Sequence, residues 1–182
     1  MRSNRSTRKF VVPSAIGWIG AAGWQDSVVA VSIGHATAEA AEARLAKVID
    51  LPLTTSNWNP TLRRRLHDYT DGAPVDFLEF DVELGDLTPF SRAVIESCRH
   101  ISYGETLSYG GLASRAGAPG AARAVGNVMR NNRCPLVIPC HRVVHNDGRV
   151  GNFSAPQGVR LKERLLAMEA ASLAMGNLAA LL

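Results

Sequence analysis

The tetrapeptide Pro139-Cys140-His141-Arg142 sets a thiol beside an imidazole and a guanidinium. Free cysteine titrates near ~8.5, so only a few per cent is thiolate at neutral pH, and a neighbouring imidazole or cation is the usual means of raising that fraction. The pattern suits a nucleophile. A buried structural cysteine is the competing reading, because side chains adjacent in sequence need not face one another. Taking Cys134, Cys140, His141 and His145 as four metal ligands is a third reading. Their spacing matches none of the paired zinc patterns, so no metal is expected. Cys98 and His100 read as a core cysteine and a surface histidine near a helix end.

Charge adds a second clue. The 20 Lys and Arg exceed the 16 Asp and Glu by only four, yet Arg115, Arg123, Arg130, Arg133, Arg142 and Arg149 face Asp147 alone within one stretch. Arginine forks onto phosphate and stacks on bases, so this concentration reads as a nucleic-acid footprint, with a merely solvated basic face as the alternative.

Helices and turns must position these groups. Leu136-Val137-Ile138 reads as a buried strand entering the turn that bears Cys140, with Val143-Val144 following it. Thr88 is an N-cap and Pro89 a first helical residue, opening a helix to about His100 with the stripe Phe90, Val94, Ile95 and Cys98. Ser108 to Arg115, a turn at Gly117 to Pro119, and Gly120 to Arg130 resemble a helix-turn-helix, although any αα-hairpin looks similar. The second of these helices is built of small residues, Ala121, Ala122, Ala124 and Gly126, with Arg123 standing out of them. Such a face lets backbone approach a groove, or packs tightly on a neighbouring helix.

The first half reads differently. Phe10 to Val12, Ile16 to Ala21 and Val28 to Ile33 are expected as hairpin strands, Ala36 to Ile49 and Pro60 to Tyr69 as helices, and Phe77 to Leu84 as a further strand. The fold class expected is an α/β N-terminal domain, a small antiparallel sheet with helices, followed by a mostly α C-terminal domain with a helix-turn-helix. The boundary is drawn near Gly85, giving 1–85 and 86–182.

Composition excludes several classes. With 182 residues, 46% hydrophobic and 20% charged, the chain can bury a core, and disorder is not expected. Leu165 to Leu182 is interrupted by Glu169, Ser172, Gly176 and Asn177, which suits an amphipathic helix better than a membrane span. Met1 to Lys9 carries Arg2, Arg5, Arg8 and Lys9 with no apolar core behind it, so it is expected as a frayed basic tail rather than a secretory signal. Three cysteines argue against a disulfide framework and for a reducing cytoplasm.

The run Ile138-Pro139-Cys140-His141-Arg142-Val143-Val144 resembles the acceptor-cysteine signature of the O6-alkylguanine-DNA alkyltransferases. The flanks resemble the family in order as well: Ser102-Tyr103-Gly104-Glu105-Thr106-Leu107-Ser108-Tyr109-Gly110, Gly120-Ala121-Ala122-Arg123-Ala124-Val125-Gly126, Asn132, Gly151-Asn152-Phe153-Ser154, and Leu165-Leu166-Ala167-Met168-Glu169. The match is close over Leu87 to Glu169 and general before it, where a ribonuclease H-like plan is implied.

What the resemblance implies is a monomeric, cofactor-free DNA repair protein. It would flip O6-alkylguanine out of duplex DNA and transfer the alkyl group irreversibly and once to Cys140. His141 would take the thiol proton through a water, Glu169 would polarise His141, Tyr109 would assist the leaving guanine, and Asn132 would brace the turn. Arg123 would fill the gap left by the base. Ala122, Ala124, Gly126, Arg130 and Arg115 would contact DNA, while Pro135, Val143, Val150, Asn152, Phe153 and Ser154 would line the alkyl pocket. O4-alkylthymine is a further substrate of that class. The loop Phe153-Ser154-Ala155-Pro156-Gln157-Gly158 is longer than the family's glycine-rich loop, Phe153 stands where tyrosine also occurs, and no cysteine precedes Cys98 to build a structural zinc site. The alternatives are a non-catalytic lesion binder of the same fold, a helix-turn-helix transcription regulator, or a Cys-His hydrolase, which would need an oxyanion hole and turnover.

Overall fold

The computed structural model describes residues 7–49 and 51–179. Strands β1 (Thr7–Val12), β2 (Trp18–Trp24) and β3 (Ser27–His35) form an antiparallel meander, and β4 (Leu53–Thr55) pairs in parallel with β1, giving the order β3-β2-β1-β4. Alternation along the strands feeds two faces. Ala22 and Ala30 turn toward Leu45 and Ile49 at helix α1 (Ala38–Val48). Phe10, Ile19, Ala21, Val31 and Ile33 face the opposite way, toward Leu62, Leu66 and Tyr69 of α2 (Pro60–Thr70). An irregularity in the β2–β3 register near Ala22 and Gly23 puts Val28 on this second face too.

Four expectations for this half need correction. Arg8 and Lys9 belong to β1, opposite Gly23 and Ala22, and Lys9 pairs with Glu42 at 2.8 Å, so they are no frayed tail; Met1 to Ser6 lie outside the described residues. The second strand starts at Trp18, after a turn in which Ser14 Oγ accepts from the Ile16 amide. The short edge strand β4 was not expected, being three residues without alternation. Phe77 to Leu84 forms no strand: it keeps a single bridge, Val28 to Val82, while Phe77 and Phe80 both turn inward. The carbonyls a sheet partner would use are taken by Arg99, whose Nη2 donates to Phe77, Leu78 and Phe80.

Beyond residue 85 the chain is mostly helical. Helix α3 (Pro89–Arg99) starts at Thr88, whose side chain accepts from the Ser91 amide, and buries Val94 and Cys98. Helices α4 (Tyr109–Arg115) and α5 (Ala122–Arg130) are joined by a turn in which Gly117 and Gly120 take positive φ, and they pack through Leu112, Ala113, Val125 and Met129. This is a helix-turn-helix arrangement. The two-residue strands β5 (Leu107–Ser108) and β6 (Val143–Val144) pair in parallel and bring the end of the Cys140 segment beside the start of α4. Helix α6 (Val159–Ala179) closes the fold, burying Leu161, Leu165 and Glu169. One apolar core runs from Phe10 through Leu112 and Val143 to Leu165. No helix among the described residues is long and apolar enough to cross a membrane.

Candidate functional site

The segment carrying Cys140 is a folded turn, which corrects the expected strand over Leu136–Ile138. Leu136 takes φ 72°, a left-handed conformation that costs a non-glycine residue about 1–2 kcal/mol. Asn132, just past the end of α5, holds the turn closed. Its Oδ1 accepts from the Cys134 amide at 2.9 Å, and its Nδ2 donates to the Ile138 carbonyl at 2.9 Å and to Cys140 Sγ at 3.0 Å. A single 3₁₀ turn, Cys140–Arg142, follows, with Cys140 on the cleft side and His141 and Arg142 together on the other.

Cys140 points into an open cleft of about 1050 Å³. Arg123, Gly126 and Arg130 of α5, Tyr109, His145, and the loop residues Asn152, Phe153 and Ser154 share its walls. The sulfur is nonetheless only 4% exposed as a residue, and Cys98 and Cys134 are wholly covered. Burial pushes the Cys140 thiol up; the Asn132 hydrogen bond and the charge of Lys162 pull the other way without overcoming it. The resting group is therefore a thiol, and the simple expectation of a neighbour-stabilised thiolate is corrected. Gly126 lies in the interior of α5, where glycine costs about 1 kcal/mol relative to alanine. Nothing lies within 4 Å of the place its Cβ would occupy, so protein packing does not demand it; the bare wall leaves room for a ligand.

His141 and Arg142 turn away from the cleft into a buried polar cluster. Glu169 Oε1 lies 2.9 Å from His141 Nε2 and accepts from Tyr69 Oη at 2.6 Å and Arg142 Nη2 at 2.9 Å, while Oε2 accepts from the Gly104 amide at 2.9 Å and Arg142 Nε at 3.1 Å. Arg142 also donates to the Ile101 carbonyl and lies over the Tyr103 ring. Burial alone would raise the Glu169 carboxyl, but His141 and Arg142 outweigh it and hold the group at about 2. Burial is the largest influence on His141 and lowers its pKa despite Glu169. With that ring neutral, Arg142 is the charge that keeps Glu169 ionised. His141 Nδ1 is buried without a hydrogen-bond partner among the described residues.

The structure brings Cys140, Tyr109, Arg123, Ala122, Gly126, Arg130, Asn152, Phe153 and Ser154 to one cleft, holds Asn132 buried against Cys140, and joins His141 to Glu169. Pro135, Val143 and Val150 are not among the cleft's lining residues; Val143 is buried on β6. Arg115 and Ala124 are exposed outside it. The six-arginine patch needs revision, because Arg142 is 3% exposed and committed to Glu169, and Arg149 pairs with Asp147 at 2.6 Å. Three contributors were missed. Tyr69 comes from α2, more than seventy residues before Cys140, and nothing in its local sequence marks it. Lys162 is buried on α6, donating to the Val143 carbonyl at 2.5 Å beside the Tyr109 ring, and a lysine in an amphipathic helix gives no such signal. His145, weighed only as a metal ligand, lies against Tyr109 with ring centroids 5.2 Å apart.

Residues 89–171 match the family described as 6-O-methylguanine DNA methyltransferase, DNA binding domain. The methylated-DNA--protein-cysteine methyltransferase of Methanothermobacter thermautotrophicus is 42% identical over 105 residues, 58% of this chain and 57% of that protein. Its namesake from Mus musculus is 46% identical over 101 residues, 55% of this chain and 46% of that protein. The chain thus spans about half the length of the curated relatives it matches. Among solved structures, Mycobacterium tuberculosis OGT in complex with DNA superposes with a TM-score of 0.76 at 27% identity, covering 91% of this chain and 94% of that one.

Proposed function

We propose that the chain, whose residues 89–171 match the DNA-binding domain of the 6-O-methylguanine DNA methyltransferases, is an O6-alkylguanine-DNA alkyltransferase that repairs duplex DNA by moving an alkyl group from guanine O6 to Cys140, once per molecule. The observation that carries this reading is that Cys140, alone of the three cysteines, opens on the cleft that Arg123 borders.

In this reading each step falls to residues of the cleft and of the cluster that holds His141. Arg130 and Arg123, exposed on α5, meet phosphates and the duplex interior, and the flat Ala122 to Gly126 surface admits the DNA backbone. Extruding the guanine costs a few kcal/mol of unstacking, offset by these contacts and by Arg123 occupying the gap. The swung-out base enters beside Tyr109, and its alkyl group faces Phe153 and Ser154. The Cys140 proton passes, through one water, to His141 Nδ1. In the same step sulfur attacks the alkyl carbon, the S–C bond forms as the C–O6 bond breaks, and the O6 charge is met by the Tyr109 hydroxyl. Because burial disfavours a free thiolate, proton removal belongs to the transfer step itself. The thioether offers no leaving group for reversal, so the protein is consumed.

Residues 86–182 form the DNA-binding and acceptor unit in this reading, and residues 1–85 support it. It acts as a monomer without a cofactor, and its three free thiols suit a reducing cytoplasm. Incubation with a duplex containing O6-methylguanine should add one methylene to Cys140 by intact mass and peptide mapping, ending at one equivalent. The Cys140→Ala protein should still bind the duplex but gain nothing. No mass change in the native protein, or repeated turnover, would overturn the reading.

A further inference from the structure

Tyr69 Oη, Glu169 Oε1 and His141 Nε2 stand at the corners of a triangle with sides of 2.6, 2.9 and 3.1 Å. A phenol carries one hydrogen. Along the shortest side it meets a carboxylate that Arg142 keeps ionised, and an anion can only accept, so the hydrogen lies there. Tyr69 Oη can then join His141 only as an acceptor, which requires the hydrogen on Nε2. Glu169 makes the same demand from its own side. The opposite tautomer would aim the Nε2 lone pair at a carboxylate and an oxygen, and would bury an Nδ1–H that has no acceptor among the described residues.

We propose that Tyr69, a residue of the first half of the chain, is a positioning residue for alkyl transfer: beside Glu169 it locks His141 in the Nε2–H tautomer, whose Nδ1 lone pair receives the Cys140 proton. The inference rests on the alkyl-transfer reading above. It gives the N-terminal half a part in the chemistry, because α2 supplies one corner of the triangle and α6 another. The ring of Tyr69 is seated by Phe77, Tyr103 and His141, with centroids 5.8 to 6.2 Å apart, so its hydroxyl has a fixed place.

Two readouts on the full chain test it: long-range 15N spectra of the histidine rings, and the rate at which Cys140 takes the benzyl group of free O6-benzylguanine, which needs no base flipping. Native His141 should show a pyrrole-type Nε2 and a pyridine-type Nδ1. Tyr69→Phe, which removes only the hydroxyl, should move the two nitrogen shifts toward each other and slow transfer about tenfold, the scale of one hydrogen bond to a charged group. Phe77→Leu loosens the same packing but keeps the hydroxyl; it should lower the melting temperature and leave the nitrogen shifts in place. A pyridine-type Nε2 in the native protein overturns the proposal, as does a Tyr69→Phe protein with native shifts and rate. It is also overturned if Phe77→Leu reproduces both Tyr69→Phe effects, since Tyr69 would then act through packing alone. If native protein fails to react with benzylguanine, the transfer reading falls by itself and the ring shifts still decide the tautomer.

Discussion

A buried thiol and a carboxylate gripped by a guanidinium have opposite protonation habits, and this protein carries them on Cys140 and on the Glu169 partner of the adjacent His141. Their environments predict distinct responses to chemical probes. Cys140 reaches the cleft, whereas Cys98 and Cys134 are wholly covered; burial drives the Cys98 thiol well above its ordinary value and the Cys134 thiol to about 12. Iodoacetamide should therefore modify Cys140 first, at a rate that keeps rising past pH 9 because its thiol is also raised. Peptide mass spectrometry should find Cys98 and Cys134 untouched until denaturant is added; labelling of either at the Cys140 rate would contradict the assignment. Glu169 offers the complementary test. Glu169→Gln keeps the shape but leaves the Arg142 guanidinium buried without its anion, a loss of about 3–5 kcal/mol. Urea denaturation measures it directly, and a loss below about 1 kcal/mol would mean that the cluster is solvated.

Helix α5 binds these residues to the duplex, and its prediction separates docking from chemistry. Arg123→Ala should slow repair of a base-paired O6-methylguanine by one to two orders of magnitude, the scale of a few kcal/mol of unstacking left unmatched, while reaction with free O6-benzylguanine stays near native. Equal losses in the two assays would assign Arg123 some other part. Elements such as α5 were legible because local rules fix them: Thr88 and Ser108 cap α3 and α4, small residues and Arg123 mark α5, and the Cys140 turn carries its own signature. Local rules also explain the failures. Phe77 to Leu84 alternates like a strand, yet Arg99 takes its carbonyls from a distance. Leu136 to Ile138 is apolar enough for a strand, but Asn132 and a positive φ fold it into a turn. The longer loop after Ser154 hid another long-range tie: Gln157 Nε2 donates to the Ile16 and Gly34 carbonyls and anchors the cleft's loop on the sheet. Such bonds join residues far apart in sequence, and no spacing announces them.

Across the whole molecule the buried cluster draws on α2, the Cys140 turn and α6, and the main core passes without a break from β1 to α6. Protonating the cluster should therefore weaken the fold as a unit. Glu169 has its carboxyl held at about 2 against an ordinary 4.5. A depressed carboxyl adds stability at pH above the ordinary value, and that stability is lost as pH falls from 4.5 toward 2, on the order of 3 kcal/mol in full. His141 acts in the same direction by a different route. Its ring is lowered from 6.5 by burial, so between 6.5 and its folded value the unfolded chain binds a proton that the native protein refuses, and stability falls with pH across that window as well. Acid should thus act in two stages, a first decline below about 6.5 and a steeper one below about 4.5. Urea midpoints at pH 7.5, 5.5 and 3.5 would trace both stages, and Glu169→Gln should abolish the second while keeping the first. A native midpoint that stays level down to pH 3.5 would mean that the cluster is already protonated or open to water, and the charge pattern assigned to His141, Arg142 and Glu169 would have to be abandoned.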